Sequence, residues 1–169
     1  IVERDNILEN GFNIIHNDLT AKFHGFLEFE YKNEIGNGLG PTNEFYTLII
    51  SNIRQKQNLW YKTSDGSLYP KLFDFSKYNK DIDYILKLFE LLGYIVGRAI
   101  FDDRLLDIPI NKSFWNLLFK NPIIFKDISN IDNDLYKTLN DFNSLIQKKQ
   151  NYLKEFPETK NINEIILYN

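Results

Sequence analysis

The chain of 169 residues contains no cysteine and no methionine. A disulfide framework, a thiolate metal site and a covalent intermediate on a cysteine of this chain are therefore excluded. Histidine is scarce as well, since only His16 and His24 are present, and their spacing is not typical of a metal site. The sequence thus predicts no metal and no catalytic histidine.

Long apolar runs and an excess of positive charge are also missing. No stretch approaches the ~20 consecutive apolar residues that a membrane-spanning helix needs, so no membrane association is predicted. The 20 Lys and Arg residues are outnumbered by 23 Asp and Glu residues, which gives a net charge of −3. Nucleic-acid-binding proteins usually carry a basic field, so no nucleic-acid partner is expected. Because Ile1 is not an initiator methionine and no signal peptide follows it, we expect the chain to come from a longer protein.

Apolar residues account for 43% of the chain and aromatic residues for 15%, which is typical of globular protein. Much of this apolar content recurs at helical spacing. The predicted helices cover residues 3–20, 41–55, 82–101, 112–119 and 131–149. The fold class that follows is α+β, mainly α-helical.

The β-structure predicted from the pattern is small. Leu27, Phe29 and Tyr31 alternate with charged residues, which indicates a half-buried strand over residues 25–32. Asp65-Gly66 lies between two short β-prone segments, and this dipeptide is a hairpin signal.

A glycine-rich segment separates the predicted strand from the second predicted helix. Gly36, Gly38 and Gly40 stand at every second position, and Pro41 suits the first turn of a helix. A phosphate-binding loop is not indicated, because Pro41 lacks an amide donor and Glu44 would repel an anion. A tight turn between strand and helix is the expectation.

Two further glycines, Gly93 and Gly97, lie one turn apart inside the most apolar predicted helix. The pattern places them on its apolar face with Leu86, Phe89, Leu92, Val96 and Ile100, so we expect a neighbouring element to approach closely there. On that interpretation, Gly93→Leu should cost roughly a few kcal/mol through overpacking.

No constellation of catalytic residues stands out. Asp102, Asp103 and Asp107 cluster beside Arg104 in a polar connector, where local ion pairs are the usual outcome. A small enzyme that uses Asp102, Asp103 or Glu44 remains an alternative, and it requires these carboxylates to converge in a pocket.

Two long segments together resemble a known family. LEFEYKNEIGNGLGPTNEFY (residues 27–46) resembles the strand, glycine-rich turn and Glu-Phe helix start of the N-lobe of HECT-type E3 ubiquitin-protein ligases. FELLGYIVGRAIFDDRLLDIPINKSF (residues 89–114) resembles the central buried helix and Asp-Ile-Pro connector of that lobe. The Gly-Leu-Gly-Pro-Thr form is similar to the subgroup that degrades ubiquitin-fusion proteins. The chain is thus identified as a fragment of a HECT N-lobe.

The resemblance implies a division of labour within a longer parent protein. Residues 1–133 would form the large subdomain of the N-lobe, and residues 134–169 the start of the smaller subdomain that docks a ubiquitin-conjugating enzyme. The parent would be a ubiquitin-protein transferase whose catalytic cysteine lies in a C-lobe absent from this chain, so the fragment is not expected to act alone. Implied partners are the conjugating enzyme, ubiquitin and substrate proteins bound through other parts of the parent. No cofactor is implied, and the expected compartment is the cytoplasm or the nucleus.

The resemblance also assigns a docking role to one helix. Leu135, Leu139 and Phe142 stand at positions i, i+4 and i+7, which places them on one stripe of a helix, and Leu145 is a weaker fourth residue. Such a stripe more often faces the protein's own core. The alternative function is a non-catalytic helical protein-interaction module, and a lone cysteine near the end of the parent would favour the ligase over it.

Overall fold

A computed structural model describes residues 1–21, 25–73, 76 and 80–157. It divides the chain into two compact units. The first unit comprises Ile1–Lys62 and Leu68–Ile110, and the second comprises Thr63–Ser67 and the chain from Asn111 onward. The predicted subdomain boundary at residue 133 does not coincide with this division. A division into compact units does not test where a functional subdomain begins, so that boundary stays a prediction.

Helices dominate the described residues, and the predicted fold class, mainly α-helical with a small β part, is confirmed. A 3-10 turn at Arg4–Asn6 precedes the helices. The helices and strands are α1 (Ile7–Ala21), α2 (Leu39–Arg54), β1 (Trp60–Lys62), β2 (Leu68–Pro70), α3 (Lys80–Phe101), α4 (Lys112–Leu118), α5 (Ile128–Ile131) and α6 (Asn133–Glu155). Another 3-10 turn, Phe125–Asp127, leads into α5. The apolar residues at 162–167 also predict a final short element, which lies outside the described residues.

The first unit is built around α1, α2 and α3, which pack on one another. Their inward faces supply side chains with no exposed surface, including Phe45, Ile49, Leu88, Leu91 and Ile95. The close approach of backbone to neighbouring helices occurs in α1. A Cβ atom on Gly11 would lie 2.5 Å from Cδ1 of Ile49 and 3.0 Å from Cδ1 of Leu91. Gly11 therefore lets α1 approach both α2 and α3.

The prediction of a close approach at Gly93 and Gly97 is wrong. Both glycines are exposed, and a Cβ atom on either would have no heavy atom within 4 Å. Leu86 and Ile100, which the pattern placed on the same face, are 44% and 76% exposed. The buried face of α3 shares Leu92 with the predicted set but otherwise carries different residues, namely Ile82, Ile85, Leu88, Leu91, Ile95 and Ala99. The expected cost of Gly93→Leu is therefore wrong as well, because nothing is there to be overpacked.

The segment at residues 25–32 keeps the predicted alternation but does not form a strand of a sheet. Phe29 and Tyr31 are buried, and their neighbours Glu28 and Glu30 are exposed. Pairing is limited to a single parallel bridge between Val2 and Tyr31. The alternation arises because one side of this extended segment packs on the helices: the Phe29 ring stacks on Phe45 with centroids 3.9 Å apart.

The glycine-rich turn positions the start of α2. Gly38 adopts a positive φ of 80°, which glycine accommodates without steric cost. Thr42 links the turn to the segment before it, because its hydroxyl donates to the Gly38 carbonyl (2.7 Å) and accepts from the Phe29 amide (3.1 Å). As predicted, Pro41 lies in the first turn of the helix, but Gly40 is already helical.

The predicted hairpin is confirmed, with Trp60, Tyr61 and Lys62 paired antiparallel to residues 68–70. Its turn is organised by Asp65, whose Oδ1 accepts from the Thr63 hydroxyl (2.5 Å), the Ser67 amide (2.9 Å) and the Ser67 hydroxyl (2.7 Å). These hydrogen bonds lower the pKa of the Asp65 carboxyl from 3.8 to about 2, and the one from Thr63 has the largest effect.

We expect Asp65→Asn to reduce the acid sensitivity of the chain. The pKa of this carboxylate is lower in the folded chain than in the unfolded chain, so its charged form stabilises the fold at any pH above the unfolded pKa of 3.8. This stabilisation is lost as the pH falls through the folded pKa of about 2. The melting temperature of Asp65→Asn should therefore fall less than that of the wild type between about pH 4 and about pH 2. Thermal melts across this window, with Asp141→Asn on α6 as the control, check this. Equal slopes for Asp65→Asn and the wild type would contradict it.

Candidate functional site

The helix that carries the predicted docking residues begins at Asp132. Its carboxylate accepts hydrogen bonds from the amides of Asp134 (3.1 Å) and Leu135 (2.9 Å), which caps the N-terminus of α6. The Asp132 amide donates to the carbonyl of Ile128 (2.8 Å), which ends α5. One aspartate therefore sets the bend between α5 and α6.

The predicted docking residues lie along α6 and are largely open to solvent. Leu135, Phe142 and Leu145 are 49%, 58% and 55% exposed, whereas Leu139 is partly buried. No residue of α6 is buried, although α5 packs against it. Within the described residues, the stripe therefore does not face a core, which was the usual alternative for such a pattern.

Sequence reasoning missed the continuation of this stripe. Ile146 follows Leu135 by eleven residues, which at about 100° per residue returns to the same side of the helix. Its side chain is 53% exposed. Leu145 lies about 80° away from Leu135 by the same count, so it belongs to the edge of the stripe. We call Leu135, Leu139, Phe142 and Ile146 the α6 face.

A second exposed apolar region precedes α6 and was also missed. It comprises Leu117, Leu118, Phe119, Ile123, Ile124 and Phe125, which are between 44% and 69% exposed. The Phe125 ring contacts the ring of Tyr136 on α6, with centroids 5.3 Å apart. Helical spacing predicts the helix at residues 112–119, but apolar residues in consecutive positions do not show which face is exposed.

A buried asparagine organises the second unit beneath these surfaces. The Asn111 side chain, in a residue that is 1% exposed, caps α4 by accepting from the Ser113 amide (2.9 Å). Its Nδ2 donates to the Ser67 hydroxyl and to the Asn130 carbonyl, both at 2.7 Å. One side chain thus joins the hairpin turn, α4 and α5.

We expect Asn111→Ala to lower the free energy of unfolding by about 2 kcal/mol, because it removes a helix cap and leaves buried polar groups without partners. Asn116→Ala, at a partly buried position in α4, is the matched control and should cost less. Urea denaturation of both variants measures the difference. Equal midpoints for Asn111→Ala and the wild type would contradict this role.

The carboxylates of the enzyme alternative have separate partners. Asp102 is buried, accepts from the Tyr46 hydroxyl (3.0 Å) and lies 3.6 Å from Nη2 of Arg98. Burial and the Asp102 carboxylate raise the pKa of Tyr46 above its ordinary value. Asp103 is exposed and has a positive φ of 54°. Asp102 therefore takes part in a structural ion pair and hydrogen bond. Asp102 and Asp103 do not converge in an open catalytic pocket.

Glu44 belongs to a different cluster at the start of the chain. The Arg4 guanidinium donates to both Glu44 oxygens (2.5 and 3.0 Å) and to both Glu34 oxygens (2.5 and 2.8 Å). It also lies 4.0 Å from the ring centroid of Tyr31. Hydrogen bonding from Arg4 lowers the pKa of each glutamate, so both favour the charged form that pairs with it. Arg4 therefore ties the chain start to the glycine-rich segment.

Among residues 1–21, 25–73, 76 and 80–157, no group of three or more His, Asp or Glu side chains is arranged to hold a metal ion. None of the helices in this part of the chain combines the length and apolar character that crossing a bilayer requires. The exposed apolar surfaces of the second unit are thus the best candidate for a functional site.

Comparison with known proteins finds similarity over most of the chain. E3 ubiquitin-protein ligase UPL4 of Arabidopsis thaliana is 30% identical, in a match that covers 87% of this chain and 11% of that protein. E3 ubiquitin-protein ligase TRIP12 of Danio rerio is 28% identical over 94% of this chain and 9% of that protein. Ubiquitin fusion degradation protein 4 of Saccharomyces cerevisiae is 35% identical over 56% of this chain and 7% of that protein. The chain therefore spans about a tenth of the length of these relatives.

These relatives confirm the predicted resemblance, including the resemblance to the ubiquitin-fusion-degradation subgroup. The HECT-domain (ubiquitin-transferase) family matches residues 46–166. Because this match covers more than half of the residues, the chain belongs to the HECT-domain family of ubiquitin transferases.

Proposed function

We propose that this chain is the N-lobe part of a ubiquitin-protein ligase and that the α6 face docks a ubiquitin-conjugating enzyme. The observation that carries the proposal is that α6 bears an apolar stripe in which no residue is buried. Interfaces draw most of their affinity from a few apolar or aromatic anchors that are desolvated on binding. Leu135, Leu139 and Phe142 are suited to this role, with Leu145 at the edge.

The reaction itself requires a group that this chain does not have. In a HECT-type transfer, a ligase thiolate attacks the thioester carbonyl carbon of ubiquitin on the conjugating enzyme, and the thiolate of that enzyme leaves. Since the chain contains no cysteine, the acceptor sulfur must belong to another part of the parent, the C-lobe. Ubiquitin then passes to a lysine of a substrate protein bound elsewhere on the parent.

The proposed division of the N-lobe follows the resemblance. Residues 1–133 form the large subdomain, and residues 134–169 begin the docking subdomain. No cofactor is required for the transfer. The compartment proposed for it is the cytoplasm or the nucleus, where conjugating enzymes charged with ubiquitin are available.

The second candidate is a non-catalytic interaction module, which the exposed apolar surfaces would serve equally well. The two are separated by mixing the parent protein with a conjugating enzyme that carries a ubiquitin thioester. A ligase yields an adduct of ubiquitin and the parent that a reducing agent cleaves. Binding without any such adduct would support the interaction module and contradict the transferase.

A further inference from the structure

A loop adjacent to α6 displays apolar side chains between two exposed lysines. We call residues 119–126 the 119–126 loop; it begins after α4 and includes the first two residues of the 3-10 turn Phe125–Asp127. Its exposed apolar side chains are those of Phe119, Ile123, Ile124 and Phe125, at 69%, 54%, 59% and 44%. Lys120 and Lys126 are exposed within the same loop. Exposed apolar side chains that are grouped in one short segment are candidates for an interaction site.

The charge of this region is opposite to that of the chain. Residues 108–126, which lie between Asp107 and Asp127, contain no Asp or Glu and include Lys112, Lys120 and Lys126, whereas the whole chain has a net charge of −3. None of the ion pairs formed among the described residues involves these lysines. Their positive charge is therefore available to a partner.

Backbone hydrogen bonds hold the loop in its displayed conformation. The Asn121 amide donates to the carbonyl of Asn116 (2.9 Å), next to Lys120, which has a positive φ of 55°. At the other end, the Ile124 amide donates to Oδ2 of Asp127 (2.8 Å), and the Asp127 amide donates to the Ile124 carbonyl (2.9 Å). A backbone fixed in this way lowers the ordering cost of binding.

The loop is continuous with the α6 face. Phe125 contacts Tyr136 with ring centroids 5.3 Å apart. Tyr136 precedes Leu139 by three residues, so the loop borders the first turns of the α6 face. A partner that covers Leu135 and Leu139 would therefore also meet Phe125.

We propose that the 119–126 loop extends the docking surface and selects conjugating enzymes that present an apolar side chain flanked by carboxylates. Apolar contacts with Phe125 and Ile124 would slow dissociation, and Lys120 and Lys126 would steer encounter. This inference rests on the proposed function of the α6 face and adds to it the charge of the partner.

The test compares binding rates of the full-length protein with a panel of conjugating enzymes that differ in surface charge. The double variant Lys120→Glu, Lys126→Glu should lower the association rate about ten-fold at low ionic strength, and added salt should reduce that difference. The dissociation rate should change little. The matched control is Lys62→Glu, Lys71→Glu, which makes the same charge change at exposed positions of the first unit.

The outcomes separate this inference from the proposed function. If Phe142→Asp weakens binding but the loop variant behaves like its control, the loop inference is overturned and docking on the α6 face stands. If neither weakens binding, both fail. The inference is also overturned if the loop variant loses affinity for vesicles of anionic phospholipid while its affinity for every conjugating enzyme is unchanged, since a membrane surface would then be the partner.

Discussion

Gly11→Leu is expected to lower the free energy of unfolding by about 3 kcal/mol, because it forces a side chain into a fully packed site. A Cβ atom alone would lie 2.5 Å from Ile49 Cδ1 and within 3.2 Å of both Leu91 methyl groups. Neither Ile49 nor Leu91 has any exposed surface, so neither can move toward solvent to make room. The larger side chain must therefore separate α1 from α2 and α3.

Gly93→Leu is the matched control, since it makes the same substitution inside a helix. The position is open, and leucine is a better helix former than glycine, so a gain in stability of up to about 1 kcal/mol is expected. Urea denaturation of the two variants and the wild type measures the contrast. A Gly11→Leu variant as stable as the wild type, or a Gly93→Leu variant that loses several kcal/mol, would contradict this packing.

The different surroundings of Gly11 and Gly93 show where periodicity is ambiguous. In α3 the predicted face included Leu86 and Ile100, whereas the buried face includes Ile85 and Ala99, and Leu92 belongs to both. The two sets differ by one residue, or about 100° of rotation. Both sets of residues satisfy helical spacing, because α3 is apolar on more than one side. Only the positions of α1 and α2 decide which side is buried.

Helix positions were predictable because strong local signals mark them. The predicted helix at residues 82–101 matches α3 at Lys80–Phe101, and the Asp65-Gly66 signal correctly gave the hairpin. The segment at residues 25–32 was mistaken for a strand because its alternating burial depends on helices, whereas a strand is defined by pairing. Which segments pair is a property of the tertiary structure that alternation does not contain.

The candidate site was predictable in part for a similar reason. The spacing of Leu135, Leu139 and Phe142 indicated one helix face, but spacing could not tell whether that face was covered. Asn111 suits the N-cap of α4, but its bridging role carries no local signal, since its other partners Ser67 and Asn130 are distant in sequence. The 119–126 loop was missed because its apolar residues are consecutive and could equally have been core.

Phe142→Asp should weaken the affinity for a conjugating enzyme about ten-fold or more, as expected for an aromatic anchor in the centre of an interface. The substitution places a charge where the partner would exclude water. Phe142 is a better probe than Leu139 because it is 58% exposed, so its replacement should leave the fold intact. Leu139→Asp should weaken binding too and leave the first unit folded, but Leu139 is partly buried and its loss also disturbs the second unit.

The matched control for this measurement is Ser144→Asp, which adds the same charge to the same helix. Ser144 is exposed and lies two residues after Phe142, about 200° around the helix axis and away from the α6 face. Titration of a conjugating enzyme against the full-length protein should show wild-type affinity for Ser144→Asp and a loss of about ten-fold or more for Phe142→Asp. Equal affinity of the wild type, Phe142→Asp and Ser144→Asp would contradict docking on the α6 face.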